Sequence, residues 1–168
     1  HLAQRDKQNE GYLASIEESL GDAAMGLRDM IWVLDDSGDT IRELAERIKK
    51  FAGPIATVQQ IQFECAVEEE DTEHQLSKPQ KRNLLLIAKE TINNSIKYAE
   101  CSRIRVTLGR QGSKLALTIL DDGKGFDSGS TTEGNGLRNI LQRARQIHFE
   151  AAITSSPGKG TFIKVTEI

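Results

Sequence analysis

Leu13, Ile16, Leu20, Ala23, Leu27, Met30 and Leu34 recur at alternating steps of three and four residues. That spacing predicts a helix with an apolar seam sustained over three heptads, suited to packing against other helices. Gly11, Gly21 and Gly26 interrupt it, each at roughly 1 kcal/mol relative to alanine, so such a helix needs partners. A helical hairpin and its symmetry mate would supply them as a four-helix bundle. An amphipathic helix packed on its own domain is the alternative. Asp35-Asp36-Ser37-Gly38 ends the pattern.

Beyond it, Thr40 and Glu43 have the spacing of a capping box, and Ile41, Leu44, Ile48, Phe51 and Ile55 form the next helical stripe. Gly53-Pro54 is expected to kink or end that helix. Ile61, Phe63, Cys65 and Val67 alternate as in a half-buried strand. Glu68 to Glu73 reads as a solvated acidic loop, and Ser77 with Gln80 marks another helix start. On that helix Leu84, Leu85, Ala88, Ile92, Ile96 and Ala99 share one face. Ile104, Val106 and Leu108, turned by Gln111-Gly112-Ser113 into Leu115, Leu117 and Ile119, predict a β-hairpin. Leu137, Ile140, Leu141, Ala144 and Ile147 give a last helical stripe. Ala151 to Ser155 and Thr161 to Thr166 read as strands joined through Pro157-Gly158-Lys159-Gly160. This order predicts an α+β fold, with helices on one face of a mixed, mainly antiparallel sheet and a long amphipathic helix ahead of it.

A length of 168 residues fits one domain plus a helical appendage. The net charge of −3 argues against a nucleic-acid surface, which needs a basic stripe. Cys65 and Cys101 form no C-x-x-C pair and read as reduced thiols. The longest apolar run, Leu84 to Ala88, is too short to cross a bilayer, and no signal peptide is visible. A membrane-bound parent protein is compatible with this, since the chain begins inside a helical pattern. P-loop, G-x-S-x-G and H-E-x-x-H motifs are absent.

Three polar motifs remain: KETINNSIKYAE from Lys89 to Glu100, LDDGKGFD from Leu120 to Asp127, and GNGLRNI from Gly134 to Ile140. On a helix, Glu90, Asn94 and Lys97 fall one turn apart opposite the apolar face, with Tyr98 at the edge. A carboxylate, an amide oxygen, an ammonium and a ring would then line one wall. Asp121 ends a strand and is followed by Gly123 and Gly125. A carboxylate there can accept from an exocyclic amine such as that of adenine, and the glycines let backbone approach a ligand. Gly134 and Gly136 precede a helix, whose first N–H groups suit phosphate oxygens. Taken singly, the motifs read equally well as a solvated helix face, an Asp/Gly turn, and a helix capped by Asn135. Residues 126–136, rich in Ser, Thr and Gly, read as a mobile lid or a plain loop.

In this order the motifs resemble the ATP-binding domain of sensor histidine kinases, within the superfamily that includes gyrase, Hsp90 and MutL. KETINNSIKYA resembles the N box, DDGKGF the first glycine box and GNGL the second. SSPGKGTFIKV resembles the closing strand with its Gly160-Thr161 pair. The match covers about 39–168. MIWVLDDSGDTIRELAERIKKFA resembles the segment joining the dimerisation helix to the ATP-binding domain in the NarX/DesK-like subgroup.

The resemblance implies a two-layer Bergerat-type ATP-binding fold over 39–168, preceded over 1–38 by the second helix of a truncated dimerisation and phosphotransfer hairpin. It implies ATP and Mg²⁺ as ligands, with Asn94 giving its amide oxygen to the metal, Glu90 beside it, and Lys97 acting as a point charge on phosphate. Tyr98 would line the adenine, Asp121 would take its amine, and Thr161 would assist. Gly123, Gly125, Phe126, Gly134, Gly136 and Leu137 would wrap the nucleotide. Glu90 is implied as a base or polarising group; Arg138 and Arg143 flank the helix after the lid and could reach phosphate, with Arg143 reading equally well as a surface residue.

One departure stands out. The kinases phosphorylate a histidine in a pattern like D-L-H-D on the first hairpin helix, and His1, His74 and His148 lack that context. The acceptor is therefore expected on a helix outside this chain, in a homodimeric parent that passes phosphate to a response regulator from the cytoplasm. Two other classes share the motifs: an anti-sigma-factor-type serine kinase, and a degenerate module kept for dimerisation or docking. The heptad helix and the W-V-L-D-D segment favour the histidine kinase. Intact Asn94, Asp121 and glycines speak against decay.

Overall fold

The structure of the protein is a computed structural model that describes residues 2–35, 39–127 and 135–168. The chain falls into two compact units, residues 1–37 and 38–168. The first is one helix, α1 (Leu2–Leu34), about 50 Å long at 1.5 Å per residue. Its seam is open. Leu13, Ile16, Leu20, Leu27, Met30 and Leu34 are each more than half exposed, and Ala23 is exposed with them. The end of the pattern at Asp36, Ser37 and Gly38 lies outside the described residues. Among those residues no helix is long and apolar enough to cross a membrane.

The second unit is a five-stranded sheet in the order β1-β2-β3-β5-β4. Its strands are β1 (Gln62–Val67), β2 (Arg103–Gln111), β3 (Lys114–Asp121), β4 (Phe149–Ser155) and β5 (Thr161–Glu167). Only the β1–β2 pairing is parallel; β2–β3, β3–β5 and β4–β5 are antiparallel. The parallel pair needs a crossover, and α3 (Lys78–Asn94) lies in it. Helices α2 (Ile41–Val58), α3 and α4 (Asn135–Gln146) pack on the sheet, with α3 between the other two. The expected α+β class and mixed, mainly antiparallel sheet are thus present.

Both predicted capping boxes form. Thr40 Oγ1 accepts from Glu43 N–H while the Thr40 N–H donates to Glu43 Oε2. Ser77 and Gln80 do the same at α3. Leu84, Leu85, Ala88 and Ile92 are fully buried, as are Ile104, Val106, Leu108, Leu115, Leu117 and Ile119 facing them.

Three expectations change. α2 does not end at Gly53-Pro54 but runs to Val58. Proline disfavours helix at the residue before it by clashing with that residue's Cβ, and glycine there has none. Its buried stripe uses Ala45, Ala52 and Ala56 beside Ile41, Leu44 and Ile48, while Phe51 and Ile55 are only half-buried. The Phe51 ring instead carries the Lys89 ammonium 4.6 Å from its centroid. The acidic loop, finally, is not wholly solvated. Asp71 is buried, and its Oδ2 accepts from the Arg110 N–H at 2.6 Å.

Lys81 is fully buried on α3, with its Nζ 2.8 Å from Asp39 Oδ1. Cys65 and Cys101 are both free thiols. Burial pushes each up to about 11, with the Asp121 carboxylate a lesser cause at Cys101.

Candidate functional site

The site begins where α3 changes pitch. After Asn94 the helix continues through Ser95–Ala99 as a wider π-type turn, closed by Glu100 in the left-handed conformation at φ 53°. Such turns are frequent at functional sites. A wider turn takes roughly one more residue to go round, so positions after Asn94 lose the phase of a regular helix. Lys97 and Tyr98 are both exposed.

Opposite stands the end of β3. Asp121 is in phase with Leu115, Leu117 and Ile119 and only 4 % exposed. Its Oδ1 accepts from the N–H groups of Gly123 at 3.0 Å and Thr161 at 3.1 Å. Its Oδ2 accepts from the Ser95 hydroxyl at 2.7 Å. Three donors on three segments fix this carboxylate. The loop after it is held as tightly. A Cβ on Gly123 would strike Ala99, and Lys124 N–H donates to the Ala99 carbonyl. Gly125, at φ 61°, sits so close to the Ser156 carbonyl that only glycine fits. The Ser155 hydroxyl ties three strands of chain together: it accepts from Phe126 N–H at 3.0 Å, lies 2.9 Å from the Gly160 carbonyl, and contacts Thr161 Oγ1 at 3.2 Å.

Between these walls lies a cavity of about 580 Å³, within the range of small-molecule sites. Of the residues singled out in the sequence, Glu90, Asn94, Tyr98, Asp121, Gly125, Phe126, Gly136, Leu137 and Thr161 line it. Asn94 Nδ2 faces Glu90 Oε1 in a long contact of 3.5 Å, which turns the amide oxygen Oδ1 the other way. The start of α4 closes on this pair: a Cβ at Gly136 would run into Glu90 Oε1 and come within 3.1 Å of Asn94 Nδ2. Tyr98 is 65 % exposed at the rim.

Lys97 and Gly123 are not among the lining residues. Lys97 is exposed because of the wide turn, and Gly123 is taken up in packing on Ala99. Arg138 is exposed and Arg143 half-buried, and neither lines the cavity. Gly134 and residues 128–133 of the expected lid lie outside the described residues. Sequence reasoning passed over Thr91, Ser95 and Lys124, which line the cavity, and Ser155 behind it. Thr91 and Ser95 did carry a signal: hydroxyl side chains one turn apart, next to the polar wall, where a packing face would hold alanine or valine.

Comparison with known proteins bears on this geometry. A family model described as histidine kinase-, DNA gyrase B- and HSP90-like ATPase matches residues 80–167, more than half of the chain. The sensor histidine kinase LiaS of Bacillus subtilis is 27% identical over 166 residues, covering 98% of this chain and 45% of the relative. The sensor protein VraS of Staphylococcus epidermidis is 29% identical over 151 residues, covering 89% and 42%. The chain thus spans less than half the length of these relatives. Among solved structures, the histidine kinase domain of the Erythrobacter litoralis EL346 blue-light activated kinase has a TM-score of 0.59 at 22% identity, covering 74% of this chain and 60% of that one. Acinetobacter baumannii histidine kinase AdeS has a TM-score of 0.64 at 14% identity, covering 89% and 78%. The structural likenesses speak for the fold, and the family match spans α3, the cavity and the closing strand. On that match the chain belongs to the family of histidine kinase-, DNA gyrase B- and HSP90-like ATPases.

Proposed function

We propose that this chain is the ATP-binding catalytic part of a two-component sensor histidine kinase of the NarX/DesK-like subgroup. In this reading the γ-phosphoryl group passes from ATP to an imidazole nitrogen of a histidine on a dimerisation helix, with ADP leaving. A response regulator aspartate then receives it. The observation that supports the reading most is that Asn94 and Asp121, far apart in sequence, line one cavity whose rim is the start of α4.

The adenine amine would donate to Asp121 Oδ2, beside the Ser95 hydroxyl, and Tyr98 would cover the base from the rim. The backbone at Gly136 would approach the phosphates as a helix N-terminus does. Asn94 Oδ1, turned away from the Glu90 carboxylate, and Glu90 itself would each offer an oxygen ligand one helical turn apart, and oxygen ligands suit Mg²⁺, which keeps waters and phosphate oxygens for its other positions. Bound there, Mg²⁺ would supply charge neutralisation to the triphosphate. Glu90, a turn from Asn94, is positioned to polarise or accept a proton. Lys97, exposed in this structure, would reach phosphate by extending its four-carbon stem.

The open seam of α1 fits the second helix of a dimerisation hairpin, so the full protein would be a homodimer with its catalytic part in the cytoplasm. In this reading residues 1–38 would serve dimerisation and link to the ATP-binding part, residues 39–168.

Thermal unfolding with and without nucleotide tests the reading. ATP with Mg²⁺ should raise the Tm, since a ligand that binds only the folded state stabilises it. Asp121→Asn and Asn94→Asp should suppress the rise. No shift at millimolar nucleotide would overturn it. Adding a hairpin that bears an acceptor histidine and scoring acid-labile phosphate tests the transfer.

A further inference from the structure

A nucleotide brings several negative charges into a cavity whose walls already hold carboxylates. Glu90 and Asp121 line it, and Lys124 is the one cation among the described lining residues. Lys97, Arg138 and Arg143 do not line it. Residues 128–134 contain Glu133 and neither lysine nor arginine. An anion held here needs opposite charge close by, and Lys124 is placed to supply it.

The residue combines a fixed backbone with a free arm. Its N–H donates to the Ala99 carbonyl at 2.7 Å, and its carbonyl accepts from the Gly158 N–H at 2.6 Å. The side chain is more than half exposed, and its Nζ lies 2.6 Å from Glu100 Oε1, itself exposed. Glu100 closes the wide turn in the left-handed conformation at φ 53°, where glycine or asparagine is the usual residue. A glutamate there bears a steric cost and brings one more carboxylate beside the only cation among those lining residues. Such an exposed pair adds little stability, so the ammonium can be given up to a more highly charged acceptor.

We propose that Lys124 is a nucleotide-binding residue: its ammonium leaves Glu100 for the phosphate oxygens of the bound nucleotide, and Glu100 competes with the ligand for it. The inference rests on the reading of the cavity as an adenine nucleotide site and adds a contact to it. Lysine suits the exchange, being a point charge on a flexible four-carbon stem. Glu100 lowers the affinity in two ways, by occupying the ammonium and by repelling the incoming anion.

Calorimetric titration of the whole chain with ADP and with ATP, each with Mg²⁺, tests it on Lys124→Gln and Glu100→Gln. Both variants break the same ion pair. A merely structural pair therefore moves both the same way, whereas the proposal moves them apart. Lys124→Gln should weaken both nucleotides by about two- to fivefold, the worth of an exposed charge pair, and Glu100→Gln should tighten them by a similar factor. The gap between the variants should narrow as salt rises from about 0.05 to 0.5 M, since exposed charges are screened. Unchanged affinities, shifts in one direction, or a gap that salt does not narrow overturn the proposal. Wild-type protein that binds neither nucleotide, or binds them regardless of Asp121→Asn, overturns the cavity reading and this contact with it.

Discussion

Ser95 Oγ lies 2.7 Å from Asp121 Oδ2, and both residues are buried. The bond joins the wide turn that ends the central helix to the last residue of β3. Ser95→Ala removes this donor from a buried carboxylate. Hydrogen bonds to charged groups are worth about 1.5–3 kcal/mol, so the variant should lose that much stability. Urea unfolding should give a lower midpoint at unchanged m-value. An unmoved midpoint would mean that water in the cavity replaces the hydroxyl.

Gly125 and Gly112 both have positive φ, at 61° and 68°. Around Gly112 nothing lies within 4 Å of an added Cβ, whereas at Gly125 the carbonyls of Ser156 and Gly160 stand in the way. Gly112→Ala should cost only the left-handed penalty, about 1–2 kcal/mol. Gly125→Ala adds a backbone collision and should cost clearly more. Equal losses in thermal unfolding would show that the loop after Asp121 yields freely.

Asp122 titrates below the usual aspartate value of 3.8. The Ser102 hydroxyl is the main cause; burial opposes it as the second contribution, and the N–H groups of Arg103 and Ser102 add to the lowering. A carboxyl held down in the folded state contributes stability above its unfolded pKa, and loses it as pH falls through the folded value. Stability should therefore decline below about pH 4. Asp122→Asn should have a shallower decline between pH 5 and 2, read as the urea midpoint at each pH. An acid limb as steep as the wild type would assign the loss to other carboxylates.

Much of the second unit was legible because its signals are local. The capping boxes at Thr40 and Ser77, the alternation in β2 and β3 and the glycine turn between them each depend on a few adjacent residues. Asp121 was legible as a strand end followed by glycines. The wide turn at Ser95–Ala99 was not, since it is a compromise between helix pitch and packing that regular periodicity cannot register; regular periodicity therefore puts Lys97 on the wall. Asp71 looks solvated in the sequence because its partner, the Arg110 N–H, is far along the chain and comes near only when the hairpin folds. α2 continues past Pro54 although Pro54 donates no N–H, and Gly53 before it removes one of the clashes that disfavour helix there. Thr91 and Ser95 carry a signal in their hydroxyls one turn apart, but the partner of Ser95 shows only when the fold brings Asp121 against it.

The two-residue turn Gly112-Ser113 pairs Gln111 with Lys114 and so carries Ile104 opposite Asp121, at the far end of a strand roughly 25 Å long. Side chains on a strand alternate between its faces, and a slip of one position exchanges them. A single inserted residue at that distant bend, absorbed by shifting β3, would send the carboxylate to the bare side of the sheet and bring Leu120 inward. The address of the adenine-facing group is thus written at the opposite tip of the hairpin, where nothing touches the cavity.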